Sequence, residues 1–327
     1  MTPEQFNYLR SFLKERSGLV LGEDKRYLID SRLNPVAGEF GYADLGEMVT
    51  AMRRPGAQRL TDRITEAMTI NESFFFRDMT PFDNFRNIML PHMIKERATQ
   101  RRLRIWSAAA STGQEGYSLA IELLEQKTKM PGWKIEILGT DLSTDALTKA
   151  KAGRYSQFEV QRGMPTAMLM KYFKQHGTEW SVVPEVQKMV QFKPFNLLKE
   201  FRALGMFDVV FCRNVLIYFD RDTKADILNR LAKQMSSDAY LVLGAAETII
   251  GLCDEFKMVP GVRGLYQRDA DKAAATGRTS SFAKPAAPAK PSWKEQKETP
   301  ASAFSHTAGS NKAASTGSLF PKTRKVS

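Results

Sequence analysis

Cysteine and histidine are scarce in this chain of 327 residues: two cysteines, Cys212 and Cys253, and three histidines, His92, His176 and His306. Two cysteines cannot build a disulfide framework or a thiolate metal cluster, and so few histidines argue against a zinc centre. No apolar run reaches the roughly 18 residues that a membrane-crossing helix requires. The opening stretch MTPEQFNYLRSFLKERSG is charged throughout and lacks the apolar core of a secretion signal. These absences predict a cytoplasmic, metal-free protein. Acidic residues are also few relative to basic ones, which leaves a net charge of +12. That charge invites a nucleic-acid reading, but its distribution weakens it. The stretch 271–327 holds ten Lys/Arg against Asp271, Glu295 and Glu298, so seven of the net charges belong to it and five are spread over the rest. An acidic protein partner or an anionic membrane surface fits as well, and no nucleic-acid partner is expected.

What is present is a 43% hydrophobic chain long enough for one large domain and a smaller one. Residues 1–70 read as helices. Thr2-Pro3-Glu4-Gln5 combines an N-cap, a proline at the first helical position and a capping-box glutamine; Phe6, Leu9 and Leu13 follow at helical spacing, and Gly18 ends the helix. Further helical patterns cover about 24–33, 44–53 and 57–69, punctuated by Asn34-Pro35 and Pro55-Gly56. The segment is rich in Arg and Lys, which suits either a solvated face or a docking face for an acidic partner.

From about 81 the pattern alternates: helix 81–97, strand 103–107, helix 115–126, strand 135–139, helix 143–152, a poorly periodic stretch, strand 207–211, helix 222–235 and strand 240–243. Alternation of this kind predicts an α/β fold with a mostly parallel sheet covered on both faces. Residues 256–259 and 262–266 read as a short antiparallel pair. The stretch 271–327, dominated by Ala, Ser, Thr, Lys, Gly and Pro, is expected to be disordered.

Ligands of open parallel sheets bind beyond the carboxyl ends of the strands, and three strand ends here are unusual. After the first, Ser111-Thr112-Gly113-Gln114-Glu115-Gly116 lets backbone approach a ligand closely; the G-x-G-x-x-G spacing of dinucleotide sites is absent, and Glu115 could meet a cationic amino group. A plain Gly-containing turn remains the alternative. After the second, Asp141 could accept hydrogen bonds from ribose hydroxyls or simply cap the next helix. After the third, an apolar strand runs straight into Arg213-Asn214-Val215-Leu216-Ile217-Tyr218, without the Pro-Pro motif of nucleic-acid base methylases. Upstream, Asn71-Glu72-Ser73-Phe74-Phe75-Phe76-Arg77 reads by itself as a packed interdomain linker.

Together, NESFFFR, SAAASTGQEGYS and FCRNVLIYF, in this order, resemble the CheR-type chemotaxis methyltransferases, over about residues 4–268. The resemblance implies a protein-glutamate O-methyltransferase that esterifies glutamates of chemoreceptors on their cytoplasmic helical domain, as a monomer, with S-adenosylmethionine as cofactor and S-adenosylhomocysteine as product. It implies a helical N-terminal domain (1–75) and a Rossmann-like class I S-adenosylmethionine domain (76–270) with a small β-subdomain inserted near 174–193; the basic tail (271–327), beyond the resemblance, is expected from its charge to have weak attraction to a membrane surface. By position, Asn71, Ser73 and Arg77 would line the cofactor and methyl-transfer region. Glu115 and Asp141 would hold the amino-acid and ribose parts, and Asn196 and Leu197 would flank the adenine. Arg213 and Asn214 would complete the pocket, with Tyr218 near the transferred methyl; Arg77 and Tyr218 are the expected positioning residues. Phe74, Phe75 and Phe76 would supply an apolar wall. Ser73 stands where many relatives have threonine, Gln114 and Gly116 replace a common Glu and Pro, and the short 174–193 segment implies that no receptor pentapeptide is gripped.

Overall fold

The computed structural model describes residues 1–269 and Asp271; the tail expected to be disordered and membrane-attracted lies, apart from Asp271, outside them. Helix α1 (Pro3–Ser17) carries the full capping box, with Thr2 accepting from Gln5 and the Gln5 side chain returning to Thr2, and ends at Gly18 with φ +78°. Three more helices follow: α2 (Arg26–Glu39), α3 (Leu45–Ala51) and α4 (Gln58–Met68). They bury Leu9, Leu13, Ile29, Leu33, Met48 and Ile64 in one core. Pro35 does not end α2 as its position suggests. The missing N–H costs one helical bond, while Leu33, Val36 and Ala37 on either side are buried in that core, and their burial outweighs it.

The predicted helix 81–97 is α5 (Thr80–Asn84) and α6 (Leu90–Glu96), joined by one π turn, Phe85–Met89. Pro91 lies just beyond that turn, and widening the turn relieves the clash of its ring with the preceding turn's carbonyl. Then come β1 (Arg102–Ser107), α7 (Gln114–Glu125), β2 (Lys134–Asp141), α8 (Thr144–Ala152), β3 (Arg154–Ser156), α9 (Gln157–Gln161), α10 (Thr166–Tyr172), β4 (Phe173–His176), β5 (Glu179–Val182), α11 (Pro184–Gln187), β6 (Val190–Pro194), β7 (Phe207–Cys212), α12 (Arg221–Lys233), β8 (Met235–Leu243), β9 (Phe256–Met258) and β10 (Leu265–Arg268).

The large sheet has the order β6-β2-β1-β7-β8-β10-β9. Strands β6 to β8 are parallel, while β10 runs antiparallel to β8 and to β9. The chain starts in the middle at β1, moves outward to β6 and returns to β7 on the other side. The strand order therefore reverses between β1 and β7, the place where such sheets bind ligands. The poorly periodic stretch holds a second, antiparallel sheet of order β3-β5-β4. It spans 154–182 rather than the expected 174–193, and residues 190–194 instead form β6, the parallel edge strand beside β2. Phe192 explains that placement: its ring lies 5.4 Å from that of Tyr117 and over Gly139, where any Cβ would come within 2.6 Å of it.

Candidate active site

A cleft of about 980 Å³, its open mouth included, lies beyond the carboxyl ends of β1, β2 and β7. All ten residues expected from sequence line it: Asn71, Ser73, Arg77, Glu115, Asp141, Asn196, Leu197, Arg213, Asn214 and Tyr218. One wall comes from the helical segment, with Ser17, Leu19, Met68 and Ile70, so the cleft closes between the N-terminal helices and the sheet. No group of His, Cys, Asp or Glu among the described residues could hold a metal ion.

Glu115 sits in the first turn of α7, whose start at Gly113 takes φ +97°. Its carboxylate accepts from Ser107 Oγ at 2.8 Å and from Arg213 Nη1 at 3.0 Å. Arg213, with a side chain only 1% exposed, also donates to the Arg77 carbonyl at 2.9 Å and to Asp78 Oδ2 at 2.8 Å. It therefore ties the 71–78 segment to Glu115 across the floor of the cleft. Carboxylate oxygens have lone pairs beyond those two bonds, so Glu115 retains acceptor capacity for a ligand ammonium.

Asp141 does not cap α8. That role belongs to Ser143, whose hydroxyl accepts from the Ala146 N–H. Asp141 instead accepts from Ser111 N at 2.7 Å and Ser143 N at 2.9 Å, joining the loops after β1 and β2. Burial raises its carboxyl above the ordinary value, opposed by those two backbone donors. The start of α8 has a second partner that the sequence reading did not identify. Glu66, from α4, accepts from Ser143 Oγ, from Thr144 N at 3.0 Å and from Asp145 N at 3.2 Å. A carboxylate at a helix N-terminus meets free N–H groups and the positive end of the helix dipole. Here it also fastens the helical segment beside the cleft.

Asn196 bridges the two halves as well, donating to the Arg16 carbonyl at 2.8 Å while its Oδ1 accepts from Leu198 N. Asn71 donates to Thr69 Oγ1 at 3.0 Å, and its carbonyl accepts from Ser111 Oγ at 2.8 Å. Arg77 donates to the Glu72 carbonyl and lies 5.4 Å from the centre of the Phe74 ring. Tyr218 packs against the helical core; burial raises its phenol, while nearby Arg77 lowers it.

The phenylalanine run does not form the expected apolar wall. Phe75 and Phe76 are buried in the main core, where Phe75 meets Tyr155 and Phe173 edge-on and Phe76 meets Phe82. Phe74 is covered by the guanidinium groups of Arg77 and Arg162, and none of the three lines the cleft. For these side chains the packed-linker reading is the right one. The apolar lining comes from Leu19, Met68, Ile70, Leu142, Phe195 and Phe219. Glu247, after β8, was also missed. It accepts from the backbone of the Arg-Asn loop, and an isolated acidic residue after a strand carries no motif that announces this.

The comparisons with known proteins agree with one another. Residues 71–265 match the CheR methyltransferase SAM-binding domain and residues 4–69 the CheR methyltransferase all-alpha domain. The chain is 43% identical over 269 residues to "Chemotaxis protein methyltransferase 1" of Pseudomonas aeruginosa, covering 80% of this chain and 97% of that protein. It is 40% identical over 269 residues, with the same coverage, to "Chemotaxis protein methyltransferase Cher2" of Pseudomonas putida. To the "Chemotaxis protein methyltransferase" of Salmonella typhimurium it is 32% identical over 282 residues, 84% of this chain and 93% of that protein. With both halves of the cleft inside the matched stretches, the chain belongs to the CheR methyltransferase family.

Proposed function

We propose that the cleft binds S-adenosylmethionine and directs its methyl group onto glutamate side chains of chemoreceptors. The observation that carries this reading is the convergence of Glu115, Asp141, Asn196, Arg77 and Tyr218 on one cleft at the switch point of a parallel sheet. The donor set suits the cofactor. Glu115 is placed for the ammonium of an amino-acid moiety, buried Asp141 for a ribose diol, and Phe195 to Leu197 for the adenine plane. The cofactor supplies an electrophilic methyl group on a sulfonium.

The remaining chemistry belongs to the chain. A glutamate carboxylate is already ionised at neutral pH, its ordinary pKa being about 4.3, so the acceptor needs no general base. An anion and a cation become neutral products, and water holds the charged reactants better than a charge-dispersed transition state, so a dry wall favours the transfer. Leu19, Ile70 and Phe219 supply that wall. Arg77 orients the acceptor carboxylate, and Tyr218 fixes the approach to the methyl; both act by alignment, which by itself is worth several kcal/mol. Residues 76–270 carry the transfer and residues 1–75 the docking of the receptor helices. Action as a monomer is part of the same proposal.

The docking face is narrower than composition suggests. Lys14, Arg16, Arg53 and Arg63 are held in ion pairs with Asp220, Asp62, Glu4 and Glu39. Arg32 donates to the Met68 and Thr69 carbonyls at the end of α4. Lys25, Arg54 and Arg59 are exposed and form no ion pair among the described residues, and they are the residues that meet acidic receptor helices. The basic stretch 271–327 adds attraction to an anionic inner leaflet; its removal should lower the fraction of protein sedimenting with anionic vesicles, and an unchanged fraction would refute that part. For the site itself, S-adenosylhomocysteine titrated into the purified protein should bind with one-to-one stoichiometry. Glu115→Ala and Asp141→Ala should each abolish most of that binding, and retained affinity in both would remove them from the site.

A further inference from the structure

Behind the Arg-Asn loop lies a carboxylate that no part of the transfer reaction uses. Glu247 follows β8, is 8% exposed, and is not among the residues lining the cleft. Its Oε2 accepts from Gly244 N at 2.7 Å and Asn214 N at 2.8 Å. Its Oε1 accepts from Val215 N at 3.0 Å and Ile217 N at 3.3 Å. Four backbone donors on one buried carboxylate offset its desolvation, and three of them come from the four residues that separate Arg213 from Tyr218. Those residues run from a bend at Asn214, with φ +57°, into the 3₁₀ turn Leu216–Tyr218; asparagine adopts that left-handed region more readily than most side chains. Gly244 is part of the same fitting, because a Cβ there would lie 2.8 Å from both Asn214 Nδ2 and Glu247 Oε2.

We propose that Glu247 is a positioning residue for methyl transfer: it gathers the 214–217 amides and thereby sets where Asn214 and Tyr218 face the cleft. This rests on the reading of the cleft given above. The cofactor's other partners, Glu115 and Asp141, are held by separate bonds to Ser107, Arg213, Ser111 and Ser143. Loss of Glu247 therefore acts on turnover more than on cofactor binding.

The test compares Glu247→Gln and Glu247→Ala with the intact chain by S-adenosylhomocysteine affinity, by steady-state methylation of receptor membranes, and by amide hydrogen exchange over 213–219. A displacement of about 1 Å at a reacting centre costs about 100-fold in rate, so kcat should fall on that scale. Affinity should stay within about threefold, that is, within about 0.7 kcal/mol. Faster exchange should be confined to 213–219. If the alanine variant does not fold, Gly244→Ala, which crowds the same loop with the carboxylate intact, should show the same split between kcat and affinity. Unchanged kcat in a folded Glu247→Gln, or loss of kcat only in step with affinity, would overturn the proposal. So would unchanged exchange over 213–219. Should the wild-type chain methylate no receptor glutamate, the reading of the cleft fails instead, and the exchange data still decide whether Glu247 holds the loop.

Discussion

At the scale of single residues, the cleft joins a partly exposed edge to a floor in which Glu115 is paired with Ser107 and Arg213. Arg77 belongs to the edge: it is partly exposed, and among the described residues its side chain donates to the Glu72 carbonyl alone. Arg77→Ala should lower kcat by about 100-fold or more through lost alignment while leaving the unfolding midpoint nearly unchanged; near-normal turnover would remove it from the reaction. Asp141 yields a pH prediction. Burial raises its carboxyl, so on acidification it takes up a proton at higher pH than an ordinary aspartate, whose pKa is about 3.9. A protonated carboxyl accepts poorly from ribose hydroxyls. Affinity for S-adenosylhomocysteine should therefore be full at neutral pH and fall as pH drops through that raised value, and Asp141→Asn should bind weakly with little pH dependence. A pH-independent affinity in the wild type would show that Asp141 does not meet the ligand. Residues at strand ends were legible in the sequence because strand, turn and helix patterns flank them. Glu66 and Glu247 were not, since their partners are mostly backbone N–H groups about 30 or 80 residues away, which no local pattern reports.

At the scale of elements, the alternating apolar runs foretold four of the strands, β1, β2, β7 and β8, because parallel strands are buried on both faces. They could not foretell β6, whose place beside β2 depends on Phe192 fitting over Gly139. The π turn before Pro91 and the passage of α2 through Pro35 also escaped, because in each the helix continues past a local breaker, by widening one turn at Pro91 and by burial of Leu33, Val36 and Ala37 around Pro35. The same logic makes the α4–α8 junction a testable joint. Glu66 on the first turn of α8 fastens the helical segment where Met68 and Ile70 line the cleft. A carboxylate at a helix N-terminus is worth about 1 kcal/mol, roughly a fivefold change in an equilibrium constant. Glu66→Ala should weaken S-adenosylhomocysteine binding on that scale and speed proteolytic cleavage within 68–73. Unaltered affinity and cleavage would mean that the junction is held by other contacts.

At the scale of the whole molecule, the buried ion pairs and the exposed basic side chains lie in different places. Under the sheet, away from the cleft, Arg97 joins α6 to the strands, donating to Asp208 at 3.0 Å and doubly to Asp238 at 2.8 and 2.6 Å. Removing one member of a buried ion pair strands the other, so Arg97→Ala should destabilise the fold by about 3–5 kcal/mol, visible as a lowered urea midpoint; a change under about 1 kcal/mol would show that the site hydrates instead. Net charge predicted an acidic or anionic partner but not which cations are available, because pairing with Asp62, Glu4 and Glu39 is a property of the folded surface. The measurement that bears most directly on the whole account is transfer of radiolabelled methyl from S-adenosylmethionine to receptor-containing membranes, followed by mild alkali. The account predicts label on a receptor band that alkali releases as volatile methanol, the signature of a glutamate methyl ester. Alkali-stable label would place the methyl on nitrogen or carbon and contradict it.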